Sequence, residues 1–240
     1  MARTGRTRVE MADASALSPV DSSKLHERAY AELRRALMRG ALKPGQVVTI
    51  RGLAEALGTS VMPIRDAVRQ LLAVGALEAL PRRAIRVPAL AETRFGELWA
   101  LRGILEGEAC ALAAERIGPA EIKVLEKVHA EVLASAERQD FEALLTENHR
   151  FFFTVFQASR SELLVSFIET LWILSGPHYN LALTPDLRVV FNFVRRGLKN
   201  HEQLIAALAA GDSEMARLVR QKDLLELATF LRTRLDFTAA

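Results

Sequence analysis

The stretch that most limits what this chain can fold into is LGTSVMPIRDAVRQLL, residues 57–72. Gly58, Thr59 and Ser60 make a turn. Ser60 then caps a helix, and Pro63 falls in its first turn, where a missing N–H does no harm. Ile64, Val68, Leu71 and Leu72 recur on one side of that helix at helical spacing, which calls for burial. Val61, Met62, Arg65, Asp66 and Arg69 are left pointing outward. Ahead of the turn, Thr49 caps a short helix carrying Leu53, Ala54 and Leu57. Two short helices joined by a three-residue turn over 49–74 form a helix-turn-helix, whose second helix is built to lie in a DNA major groove.

The flanks extend the pattern. Residues 23–39 form a helix, with Ala29, Leu33 and Leu37 on one face and Gly40 at its end. ALKPGQVV follows as a loop with a Pro-Gly turn. Beyond Gly75, two short apolar segments, 76–80 and 85–88, flank Pro-Arg-Arg-Ala and read as a small β-hairpin. Its tip carries Arg82 and Arg83, with Arg86 beyond, placed like a wing that touches backbone or minor groove.

From 93 onward every periodic segment is helical: 93–117, 119–138, 140–158, 161–175, 185–210 and 212–236. Gly118, Gly176 and Gly211 are expected at helix ends, and SGPHYNLALTPD as an irregular connection whose His178 and Tyr179 either line a pocket entrance or are simple loop residues, the second being favoured. The fold class is therefore mainly α: an N-terminal winged helix-turn-helix of three helices and a small β-hairpin, then an all-α bundle. Expected boundaries are a flexible basic arm over 1–22, a DNA-binding domain over 23–90, and a helical ligand-binding and dimerisation domain over 91–240.

Charge points the same way. Residues 1–90 hold 15 Lys and Arg against 8 Asp and Glu, a net of +7, while the remainder holds 17 against 21, a net of −4. A basic first part suits a polyanion partner. Cys110 has no second cysteine to pair with and sits among alanines as a small core residue. That use of cysteine fits a reducing cytoplasm, and no apolar run approaches a membrane span. No nucleophile–base pairing and no phosphate-cradling glycine loop is present, so an enzyme is not expected.

Specific motifs sharpen the reading. Gly40, Pro44-Gly45, Leu53-Ala54-Glu55-Ala56-Leu57-Gly58-Thr59-Ser60, Pro63-Ile64-Arg65-Asp66-Ala67 and the run from Leu71 to Leu77 resemble the winged helix of the GntR family of bacterial transcription regulators. By that resemblance Arg51, Ser60, Val61, Met62, Arg65, Arg69 and the wing arginines Arg82, Arg83 and Arg86 are the DNA-contact candidates. Val61 stands where relatives usually carry Arg, and Ala84 where a wing-tip Gly is common. LWALRGILEGEACALAAERI, NHRFFFTVFQAS and NHEQLIAALAAGDSEMARLVRQKD are similar to the FadR-type ligand-binding (FCD) domain.

Many domains of that class hold a divalent metal through Asp or Asn, a His four residues on, and two later His. The corresponding positions here are Asn148, Phe152, His201 and Asp223. Phe152 cannot bind a metal and Asp223 replaces an imidazole, so no cofactor is expected and metal binding would at most be weak. In the competing arrangement Phe152 fills the metal's volume while His201 and Asp223 form a hydrogen-bonded pair. These four residues and Arg102 are the ligand-binding candidates. Arg102 has two open readings: anchor for a carboxylate effector, or partner of Glu106 four residues along its own helix. Phe151, Phe153, Phe156, Phe167, Trp172, Phe191 and Phe193 are expected in the core. The resemblance implies a cytoplasmic homodimeric regulator, a repressor by the commoner mode, with a double-stranded operator and a small organic acid as partners. Its alternative is a DNA-binding dimer whose bundle has lost its effector and serves only assembly.

Overall fold

The computed structural model describes residues 22–81, 84–89, 91–183, 187–235 and 237. The basic arm ahead of Ser22 and the wing-tip residues Arg82 and Arg83 lie outside the described residues. The chain is predominantly helical, with one small sheet in its N-terminal part.

Helix α1 (Ser22–Met38) buries Ala29, Leu33 and Leu37 against α3 (Val61–Ala73), which offers Ile64, Ala67, Val68 and Leu71 in return. Burying each large apolar side chain contributes about 1.5–3 kcal/mol, so this four-residue stripe holds the reading helix in place. Between them lie β1 (Val47–Thr49) and α2 (Ile50–Ala56). Thr49 caps α2 as its sequence implies, its Oγ1 accepting from Gly52 N at 3.0 Å. Ser60 occupies the cap position of α3 but its side chain makes no cap hydrogen bond. Gly75, at φ +72°, ends the α3 segment in a backbone state that costs a Cβ-bearing residue.

Hairpin strands β2 (Glu78–Ala79) and β3 (Ala84–Arg86) form as expected. The sheet also takes in β1, in the order β1-β3-β2, so part of the supposed ALKPGQVV loop is a strand paired antiparallel with β3. Only Val47 and Val48 favour a strand within that loop, too short a run to be read without its partner.

Six bundle helices follow: α4 (Glu92–Arg116), α5 (Pro119–Glu137), α6 (Phe141–Ala158), α7 (Glu162–Leu183), α8 (Leu187–Ala210) and α9 (Ser213–Arg232). Asp140 and Asp212 cap α6 and α9 through Ala143 N at 3.1 Å and Met215 N at 3.0 Å. Helix α4 is central, packing along α9 and against α6, α7 and α8. Cys110 is fully buried on it, and burial pushes its thiol up to about 12.

Two expectations fail here. The helix expected to stop at Ser175 continues through Gly176 and Pro177 to Leu183, so His178 and Tyr179 are helical and not loop residues. Gly176 is not a helix end but a point of close approach: a Cβ there would lie 2.3 Å from the Leu37 carbonyl oxygen and 2.6 Å from Met38 Cα. Gly118, by contrast, does stand just past the end of α4, and it also serves as the N-cap of α5, its N–H donating to Glu121 Oε2 at 3.0 Å. Phe151, Phe153, Phe156, Trp172 and Phe191 are buried. Phe193 is half-buried, stacked on Phe230 with ring centroids 4.1 Å apart, and Phe167 is 55% exposed on α7. No helix among the described residues is long and apolar enough to cross a membrane.

Candidate functional site

Two regions carry function-bearing side chains. The first is the outer face of α3 and the sheet beside it. Met62 is 60% exposed, and Arg51, Ser60, Arg65 and Arg69 are exposed with it. Arg51 and Arg65 form no ion pair with a described residue, so their guanidiniums are available to bases or phosphates. Arg69 lies 3.4 Å from Asp66, one helical turn back. Val61 departs from its expected outward position, being half-buried and packed on the core. Arg86 is tied across the sheet to Glu78, Nε to Oε1 at 2.5 Å, so any contact it makes with DNA competes with that bond.

The second region is a cavity of about 80 Å³ inside the bundle. Arg102, Asn148, Phe152, His201 and Asp223, drawn from α4, α6, α8 and α9, all line it. Apolar walls come from Phe141, Leu144, Leu145, Val194, Leu198 and Leu227. Sequence reasoning places Trp172 only in the core, misses Met38 and Arg39, and puts Tyr179 at a pocket entrance only as the disfavoured alternative to a loop residue. Tyr179 and Trp172 line it from α7, at a helical spacing that runs on through Gly176-Pro177, and burial pushes the Tyr179 hydroxyl up to about 12. Met38 and Arg39 reach it from the end of α1, a contact between domains that no local pattern announces.

At the inner end lies a charge network centred on Glu106, which is 0% exposed. Its Oε1 accepts from Arg102 Nε at 2.6 Å and Trp172 Nε1 at 3.0 Å. Its Oε2 accepts from Arg220 Nε at 3.0 Å and from Arg220 Nη2. Arg102 also donates to Ser175 Oγ at 3.1 Å and is flanked by the Trp99 and Trp172 rings at 4.5 and 4.6 Å. Burial alone would raise the Glu106 carboxyl, but the two guanidiniums outweigh it and hold it below the ordinary carboxylate value. Of the two readings of Arg102, the geometry is that of the pair with Glu106.

Arg220 also bonds Asp223, Nη1 to Oδ2 at 2.5 Å, and its guanidinium lies 3.5 Å over the Phe152 ring. Asp223 accepts further from Asn200 Nδ2 at 3.1 Å. The expected His201–Asp223 pair is therefore replaced by Arg220–Asp223, because a guanidinium one turn back on the same helix reaches the carboxylate. His201 stacks on Phe151 at 4.1 Å, with its Nδ1 buried and unpartnered. Burial, with His129 and Arg220 nearby, keeps its imidazole neutral well below the usual range.

These residues do not fit a divalent metal. Phe152 brings no donor atom, Asp223 is already bonded to a cation, and the Arg220 guanidinium stands where a second positive charge would be repelled. Among the described residues no group of three or more His, Cys, Asp or Glu could hold one.

A reading helix with exposed arginines and a small wing, joined to a helical domain with an internal cavity, is the arrangement of a DNA-binding transcription regulator. The chain belongs to the gntR family of bacterial regulatory proteins: that family's model matches residues 25–87, and the FCD domain model matches residues 97–224. It is 33% identical over 189 residues to the HTH-type transcriptional regulator McbR of Escherichia coli, covering 78% of this chain and 83% of that one. It is 31% identical over 186 residues, 75% of this chain and 76% of the relative, to the "Probable D-xylose utilization operon transcriptional repressor" of Paenarthrobacter nicotinovorans. The solved structure of E. coli McbR/YncC superposes with a TM-score of 0.82 at 29% identity, over 88% of this chain and 99% of that chain.

Proposed function

We propose that this regulator is a cytoplasmic homodimeric repressor whose operator affinity responds to a small molecule held in the bundle cavity. The observation that carries the DNA-reading half is the division of α3. Ile64, Ala67, Val68 and Leu71 are buried while Met62, Arg65 and Arg69 stand in solvent. A helix so fixed offers its exposed side to base edges, with Arg65 the candidate for bidentate contact to guanine.

Dimerisation is supported by an apolar outer face. Ile104 on α4 and Leu225 on α9 are 60% and 69% exposed and line one surface groove, with Leu101 and Leu218 also exposed on the same helices. A second copy covering that face by two-fold symmetry would present two winged helices to two half-sites. Repression is supported by the name of the second relative and by the resemblance. Effector binding is supported by the cavity, whose walls are apolar with a few convergent polar groups.

The test is quantitative footprinting on the chain's own operator. Arg65→Ala is expected to weaken specific binding by about 1–3 kcal/mol, and affinity is expected to fall steeply with salt. Unchanged affinity, or a flat salt series, refutes the assignment of the reading helix. The assembly-only reading draws on the occupation of the metal position by Arg220 and Phe152. A thermal-shift screen of small organic acids separates the two readings, because only a ligand that prefers the folded state raises the melting temperature.

A further inference from the structure

The cavity contains two deep guanidiniums, and neither is free. Arg102 and Arg220 are bonded to Glu106, and Arg220 also to Asp223, so two positive and two negative charges cancel within the network. An acidic ligand entering against them would have to displace a fully buried carboxylate. A third guanidinium is placed differently. Arg39 follows directly on α1, lines the cavity and is half-buried, and its side chain has no hydrogen bond or ion pair to a described residue. Its neighbours on α1 are committed: Arg34 to Glu169 on α7 at 2.6 Å, and Arg35 to Glu32 at 2.7 Å. Glu32 and Glu142 line an adjoining surface groove together with Arg39, and neither bonds it.

Two α6 side chains face the same region. Asn148 lines the cavity, and its amide bonds no described residue. His149 lines it too, stacked on Phe153 at 4.2 Å. Burial first, then Arg34, Arg39 and Arg35, bring the His149 imidazole down to about 4, so it stays neutral and adds no competing charge.

We propose that Arg39, a residue of the DNA-binding domain, is the anion receptor of the effector cavity, for an acid whose apolar body lies among the bundle side chains. This rests on the effector reading above and goes past it in assigning the charged head to the other domain. A ligand bound in this way spans the seam between domains, one residue from the point where Gly176 brings α7 against the Leu37 and Met38 backbone. Its occupancy holds α1 to α7 and so fixes the winged helix on the bundle. By linkage, operator DNA and the acid each alter the other's affinity by the same factor.

The test uses the full chain and matched probe sets sized to a cavity of about 80 Å³: straight-chain acids of about two to four carbons and the primary amide of each, titrated by calorimetry. The best acids are expected to bind about tenfold or more tighter than their amides, as a charge-assisted bond to arginine requires. Arg39→Gln is expected to abolish the preference for acids over amides while amides still bind measurably, which also reports that the cavity is folded. Arg39→Lys is expected to keep the preference for acids at reduced affinity. Amides that bind wild type as well as acids, or an Arg39→Gln variant that binds acids as wild type does, overturn this inference and leave the effector reading intact. Failure of every acid and every amide to bind overturns both.

Discussion

Replacing Glu106 by Gln removes the one negative charge that Arg102 and Arg220 share. The substitution keeps the shape, but the new amide can accept on one side only. Its NH2 would meet the donors of Arg102 and Trp172 or those of Arg220. Breaking a buried ion pair by removing one partner costs about 3–5 kcal/mol, mostly because the surviving charge stays desolvated. For a chain of this size each kcal/mol shifts the melting temperature by roughly 2–4 °C, so a fall of about 6–20 °C is expected. Differential scanning calorimetry reads it directly. Glu106 is fully buried, so the difference should persist at about 1 M salt, where exposed pairs are screened. The pH dependence has a defined sign. The folded carboxyl lies below its ordinary 4.5, so its stabilisation is present above that value and is lost as pH falls through the lower folded one. Adding Arg102→Met to Glu106→Gln should recover part of the loss, since Arg102 has no other carboxylate partner among the described residues whereas Arg220 keeps Asp223. A Glu106→Gln protein that melts within about 2 °C of wild type, or whose defect vanishes in salt, would refute the account of the network.

Gly176→Ala places a methyl group 2.3 Å from the Leu37 carbonyl oxygen, backbone against backbone. The expected cost is about 1–3 kcal/mol, together with faster proteolysis between the two domains; unchanged melting and cleavage would contradict the close approach. His178 is buried, and burial, only partly offset by a backbone hydrogen bond at Leu174, brings its imidazole down to about 4 from 6.5. The unfolded chain therefore takes up the proton first, and stability falls as pH drops below 6.5, by about 2 kcal/mol at about pH 5. A His178→Leu chain should show a correspondingly flatter denaturation series between those pH values. Elemental analysis of protein purified without chelator should find well under one equivalent of zinc or nickel, and a stoichiometric metal would contradict the placing of Arg220 over Phe152.

The parts legible in the sequence are those set by local chemistry. Pro63 and Thr49 at helix starts, Gly75 at a helix end and the buried Ile64, Val68 and Leu71 of α3 act through neighbours within a turn or two, so spacing specified the helix-turn-helix and left Arg65 outside, although Ala67 is buried where Leu72, only half-buried, was expected. The four positions aligned on the family pattern, Asn148, Phe152, His201 and Asp223, line one cavity, and Arg102 lines it with them. What tertiary structure decided was partnership. Gly176-Pro177 carried the local signature of a helix end, yet packing against α1 carries α7 on to Leu183 and brings Tyr179 into the cavity. Glu106 had a visible partner four residues away in Arg102, but Arg220 and Trp172 come from 114 and 66 residues along the chain. The choice of Arg220, not His201, for Asp223 and the reach of Arg39 into the bundle depend on how whole helices dock. Side-chain periodicity states which face is buried; which groups meet there is set by long-range packing, which no local spacing encodes.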